Sequence, residues 1–175
     1  MLVEATFILP IVLLIIFGII EVGYLFRSAS VVNSASRSGA RLASASYASA
    51  PDKAAAMDEV RKTVEQDLAA KGSDDVPVDL WIYRANNLGF PGAPDTTDLS
   101  SCSTNCVRFV WNGTSFSPAG GSWASPDACG KVIDYVGVYV TMAHAPFANG
   151  ILGPKTIGEK TVMRLEPRSD CVTAE

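Results

Sequence analysis

No lysine, arginine or histidine occurs in the first 26 residues, and no cysteine before Cys102. Charge is scarce throughout, at 18% of 175 residues, and there is a single histidine. Each shortage excludes something. The lone His144, in Met142-Ala143-His144-Ala145-Pro146, has no partners at zinc-ligand spacing and reads as a polar surface or packing residue. Cys102-x-x-x-Cys106 has no second pair at metal spacing, and Gly120-Gly121 is not followed by the lysine of a phosphate loop. Asp74-Asp75 and Asp95-Thr96-Thr97-Asp98 lack the ligand run of a calcium loop and read as turn or helix caps. With 14 basic against 18 acidic residues, a net charge of −4 and a pI near 5.0, the chain has no electrostatic footprint for nucleic acid. We therefore expect no metal, no cofactor and no enzymatic activity.

What is present begins at once. Residues 1–26, MLVEATFILPIVLLIIFGIIEVGYLF, are apolar except for Glu4 and Glu21, and the 16 residues from Ala5 to Ile20 contain no ionisable group. At ~1.5 Å per residue the stretch reaches about 39 Å, enough to cross a ~30 Å hydrocarbon core. A membrane anchor normally carries basic residues on its cytoplasmic, N-terminal side, whereas here the first is Arg27, on the other side. Read alone, that would leave the bulk of the chain in the cytoplasm. The four cysteines, Cys102, Cys106, Cys129 and Cys171, oppose this, because an even number without metal spacing reads as two disulfides formed in an oxidising compartment. A short basic leader removed ahead of Met1 would reconcile the two, and that is the expectation. Three pairings are open to four cysteines, and the sequence does not choose.

Beyond Phe26 the helix continues in different chemistry. Ser28 to Ala50 is rich in Ala and Ser, and Leu25, Ala29, Val32, Ser36, Gly39, Ala43, Ser46 and Ala50 recur at steps of 4 and 3. Small residues on a heptad seam allow close helix approach, either to neighbouring stems or to the chain's own globular part. As one helix, Leu2 to Ser49 would be about 72 Å long. Pro51-Asp52 reads as the start of a second helix, Ala54 to Lys71, with Met57, Val60, Val64 and Leu68 on one face and Gly72 as its C-cap. Four strands follow by alternation and composition: Val76–Tyr83, Cys106–Trp111, Val132–Met142 and Thr156–Leu165. Residues 86–101 and 112–130 read as long surface loops, restrained by the disulfides. The fold class is α+β: a 1–50 stem helix and its extension, then a 51–175 head of one helix packed on a small antiparallel sheet.

The stem carries a family resemblance. Val3-Glu4-Ala5, Leu9-Pro10, Phe17 to Glu21 and Ser36-Arg37-Ser38-Gly39-Ala40-Arg41 resemble the TadE-like proteins of tight-adherence (Tad, type IVc) pilus systems, and Val162 to Pro167 is similar to the end of many of them. The resemblance implies a pilin-like subunit of a surface filament used for adhesion. It implies cleavage by a prepilin peptidase and storage in the cytoplasmic membrane. Assembly with itself and other pilins, by an inner-membrane platform and ATPase, is implied too. A minor pseudopilin or accessory protein anchored by the same stem is the alternative. In type IV pilins the acidic residue is fifth in the mature chain; here it is Glu4.

Within such a polymer the new α-amine at Met1 would pair with Glu4 of the subunit above, cancelling two charges in an apolar core. Glu21, nearly five turns on, would sit at the opposite membrane boundary with Arg27 of its own or a neighbouring chain as partner. Pro10, which removes one helical hydrogen bond, and Gly18 would let the stem adjust its rise. Asn112-Gly113-Thr114 matches the glycosylation sequon.

Overall fold

The computed structural model describes residues 2–72, 75–129, 132–146, 153–168 and 171, with side chains from Thr6 onward. The apolar and then Ala/Ser-rich run forms one helix, α1, Leu2–Ser46, of 45 residues and about 68 Å, continuous through Pro10. Val32, Ser36, Gly39 and Ala43 are buried, and Leu25 and Ala29 half-buried. They face the chain's own head. A Cβ on Gly39 would lie 2.7 Å from Val64 Cγ2 and 3.3 Å from Val138 Cγ1, so this glycine lets the helix lie close against its own head. From Val32 to Ala43 the small-residue seam is therefore used within the chain, one of the two uses that the sequence leaves open.

The second helix, α2, spans Lys53–Leu68 and buries Ala56, Met57, Val60, Val64 and Leu68. Its cap is Asp52, whose carboxylate accepts from the backbone of Ala54 and Ala55 at 2.9 and 3.1 Å, so Pro51 stands outside the helix. At the other end the cap is Ala69, not Gly72; the Gly72 N–H is taken instead by the Asp75 carboxylate at 3.1 Å. Lys53 Nζ closes the α1–α2 turn by donating to the carbonyls of Tyr47, Ala48 and Ala50.

Among the described residues five strands, not four, make the sheet: β1 Val76–Ala85, β2 Cys106–Trp111, β3 Phe116–Ser122, β4 Tyr135–His144 and β5 Lys155–Arg164. Their order is β3-β2-β1-β4-β5, antiparallel throughout. The unexpected β3, FSPAGGS, lies inside what the sequence presents as a loop. As an edge strand it tolerates Pro118, and the register shift opposite Arg108 and Phe109 leaves Ala119 without a partner, so neither composition nor alternation betrays it. Phe116 anchors it edge-on against Trp111, with ring centroids 5.2 Å apart.

Both helices cover one face of the sheet. Leu80, Ile82, Phe109 and alternate β4 residues from Val136 to Met142 form the core with Val32, Val60, Val64 and Leu68. The other face carries Trp81, Tyr83, Cys106 and Tyr139. Cysteines pair as Cys102–Cys106 and Cys129–Cys171. With a sequence separation of 42, the second closes the longer loop and restricts the unfolded chain more.

Candidate functional site

The outermost part of α1 has nothing packed on it. From Thr6 to Ile20 every residue is exposed except Gly18, which is half-buried, and Phe7 is 72% and Ile11 62% accessible. A Cβ on Gly18 would meet nothing within 4 Å. An exposed apolar surface of this extent needs a second apolar phase, lipid or protein, to cover it. The helix is long and apolar enough to cross a membrane.

The exposed run ends at a polar collar, where α1 meets the head. Glu21, Ser28, Asp75 and His144 are all more than 90% buried. They come from two turns of α1, from the segment between α2 and β1, and from the last residue of β4. His144 Nδ1 lies 2.7 Å from Asp75 Oδ1; a carboxylate only accepts, so Nδ1 carries the proton and donates it. Ser28 Oγ donates to Asp75 Oδ2 at 2.7 Å, and the same oxygen accepts from the Gly72 backbone. Three donors thus converge on one carboxylate. Burial pushes the Asp75 pKa up, but the hydrogen bonds from Ser28, His144 and Gly72 outweigh it and hold the group below its usual value. On the far side of the ring, His144 Nε2 stands 3.4 Å from Glu21 Oε1, an electrostatic contact without hydrogen-bond geometry. Arg27, next to Ser28 on α1, donates to the carbonyl of Ala70 at 3.2 Å and ties the stem to the end of α2.

A serine, a histidine and an aspartate in contact invite comparison with a nucleophilic triad, but the geometry is a different one. A triad needs serine and aspartate on opposite ring nitrogens; here Ser28 and Asp75 both lie on the Nδ1 side, and Nδ1 is protonated toward Asp75. Among the described residues no group of three His, Cys, Asp or Glu side chains is arranged to hold a metal ion. What the collar does is mechanical. It fixes the direction in which the stem leaves the head and sets where the exposed stretch begins. From Leu2 to Ile20, 19 residues span about 28 Å, close to a hydrocarbon core.

Of the residues singled out from sequence, the collar takes up Glu21, through His144, while Arg27 binds the Ala70 carbonyl close by. Met1 and the side chain of Glu4 lie outside the described residues. Asn112 is exposed at the β2–β3 turn, its amide donating to Ser117 Oγ at 2.7 Å. His144 is a packing residue, at the buried end of β4, and the Asp75 carboxylate closes the turn after α2 by accepting from the Gly72 N–H. Sequence reasoning missed their partnership with Ser28 and Glu21. A signal existed on α1: one more step of four back along the seam from Leu25 is Glu21, and Ser28 lies seven beyond it.

Comparison with known proteins reaches the same part of the molecule. The family model for TadE-like protein matches residues 1–41, covering the stem, the α1 half of the collar and most of the buried seam. It stops short of α2 and the sheet. No curated protein and no solved structure matches the chain. Over these residues the chain is similar to TadE-like proteins, a likeness that suggests an association with Tad pilus systems.

Proposed function

We propose that this chain is a structural subunit of a Tad-type pilus, held in the cytoplasmic membrane by its stem and then polymerised through that stem into a surface filament for adhesion. A prepilin peptidase would process it, and an inner-membrane platform with its ATPase would assemble it. The observation that carries the reading is the apolar helical surface from Thr6 to Ile20, which projects beyond the collar with no cover from the head. Lipid covers such a surface during storage; other stems cover it in a polymer. The TadE-like match over residues 1–41 supports the second use. Glu4 supports it as well. A carboxylate in hydrocarbon costs a few kcal/mol, and a partner α-amine at Met1 of another subunit removes that cost while fixing the register of otherwise featureless packing.

One observation favours the runner-up, an anchored minor pseudopilin or accessory protein. With the seam from Val32 to Ala43 buried against its own head, only the first 20 or so residues remain for packing between stems. Cross-linking separates the two. In a filament, cysteines substituted singly at Ile8 or Ile15, 59% and 54% accessible, should oxidise into covalent dimers, while one at Lys62 on the outer face of α2 should not. An anchor dispersed in lipid would give no dimer at any of the three.

A further inference from the structure

Opposite the collar, at the end of the head farthest from the exposed stem, the chain forms an open cleft of about 1000 Å³. Its position follows from the topology. The Leu165 N–H donates to the Asp134 carbonyl and the Glu166 N–H to the Ser44 carbonyl, so the start of β4 lies beside the C-terminal end of α1. One wall is the connection between β1 and β2, residues 86–105. Connections of that length without regular structure are uncommon in a compact domain, and ordered ones are generally functional.

This connection is held in one shape by many specific contacts. Asn86 Oδ1 accepts from the backbone of Leu88 and Phe90, and its Nδ2 donates to the carbonyls of Ala93 and Thr96. The Gly89 carbonyl accepts from both Tyr83 Oη and Lys160 Nζ, each at 3.1 Å. Tyr83 reaches it across Gly137, where a Cβ would stand 2.3 Å from the ring. The Cys102–Cys106 disulfide fastens the far end of the connection, beside Asn105 at a φ of 51°. Asparagine tolerates this left-handed conformation, which turns the chain into β2. The wall is preorganised, which lowers the entropy lost on binding.

The chemistry of the lining selects a ligand. Arg84 and Asp134 are its only oppositely charged pair and, among the described lining residues, its only formal charges. Asp134, almost wholly buried, holds Arg84 Nε at 2.7 Å, while half of the arginine side chain stays accessible. That leaves the outer guanidinium nitrogens as accessible donors in a cleft whose described lining residues sum to zero net charge. Around them stand the hydroxyls of Ser101, Ser103 and Thr104, which make no hydrogen bond to other described side chains, and the ring of Tyr135, 48% accessible. Among the described lining residues a free phosphate or sulfate would find no uncompensated positive charge. A purely apolar ligand would strand the hydroxyls. Groups that both donate and accept, next to a flat aromatic face, match a sugar, whose hydroxyls do the same and whose C–H faces stack on rings.

We propose that the cleft is a binding site for a neutral oligosaccharide of a few residues, with Tyr135 as stacking platform and Arg84 as the central donor. Its volume is at the upper end for small-ligand sites, suited to a short glycan rather than a monosaccharide. The proposal stands whether the chain is a filament subunit or an anchored accessory, so failure of either reading leaves the other intact.

The test is titration of the full-length chain, in a detergent without sugar head groups, with maltotriose, cellotriose and chitotriose, using sialyllactose and a sulfated disaccharide as acidic comparators. Binding can be read by saturation-transfer NMR and calorimetry. At least one neutral trisaccharide should bind, and Tyr135→Ala, on an accessible side chain, should weaken it about tenfold without lowering the thermal midpoint. Arg84→Lys, which keeps the charge opposite Asp134 but loses the planar fork, should weaken it as well. Binding of the acidic sugars alone, binding indifferent to both substitutions, no binding to any neutral sugar, or a cleft occupied by a second copy of the chain would each overturn the proposal.

Discussion

Replacing Asp75 by alanine is expected to lower the thermal midpoint of the full-length chain by on the order of 10 °C. The carboxylate is the acceptor for His144 Nδ1, Ser28 Oγ and the Gly72 N–H, all in a buried site. Its removal leaves those donors unpaired in a buried site, at a cost of about 1–3 kcal/mol for each buried group left unsatisfied. For a chain of this size each kcal/mol lowers the midpoint by roughly 2–4 °C. Asp75→Asn, which keeps an acceptor of the same shape, should cost less.

The effect has a direction in pH. The Asp75 pKa is held down in the folded state, so its stabilising contribution is complete above the unfolded carboxyl value of about 3.9 and is lost as pH falls through the lower folded value. The gap in stability between the wild type and Asp75→Asn should therefore be constant near pH 6 and narrow below about pH 4. His144 faces Asp75 on one side of its ring and Glu21 on the other, so the comparison is made between these two proteins at each pH, not along one curve. Circular dichroism melts in detergent measure both effects. An Asp75→Ala midpoint within a degree or two of wild type would mean that the collar does not hold stem to head.

Glu4→Gln is expected to reduce filament yield at least tenfold while leaving membrane insertion unchanged. A tenfold change in an assembly equilibrium needs only about 1.4 kcal/mol per contact, less than the cost of leaving an α-amine unpaired in an apolar core. Glutamine has almost the same shape as glutamate and is easier to insert into hydrocarbon, so a loss of filaments cannot come from failed insertion. Membrane flotation and quantification of sheared surface material, run on the same cells, separate the two steps. Normal filament yield from the mutant would reject charge pairing at Glu4.

How legible these features were depends on the range of the interactions behind them. The stem helix, the buried face of α2 and the antiparallel pairing of alternating strands follow from local period and composition, and all are found. Helix ends were misjudged where a tertiary partner decided them: Gly72 is a plausible cap by type, but its N–H belongs to Asp75. The β3 strand escaped because an edge position beside a bulge relaxes the composition rules that normally mark a strand. For the collar, half was within reach on the seam of α1, through Glu21 and Ser28. The other half was not, because Ser28 and His144 are 116 residues apart and only the complete path of β4 brings them together. Seam residues could not announce their partner either, since Gly39 invites close approach by any helix and only the folded head shows that Val64 and Val138 are the ones that take it.

Everything in the functional account turns on what covers the surface from Thr6 to Ile20. Filaments sheared from the cell surface, imaged by electron microscopy and resolved on a gel, with mass spectrometry of the main protein band, test it most directly. The account predicts that this chain is a principal component of that band and that filaments vanish when it is deleted. Recovery of the chain from the membrane fraction alone, with filaments intact in the deletion strain, would contradict it.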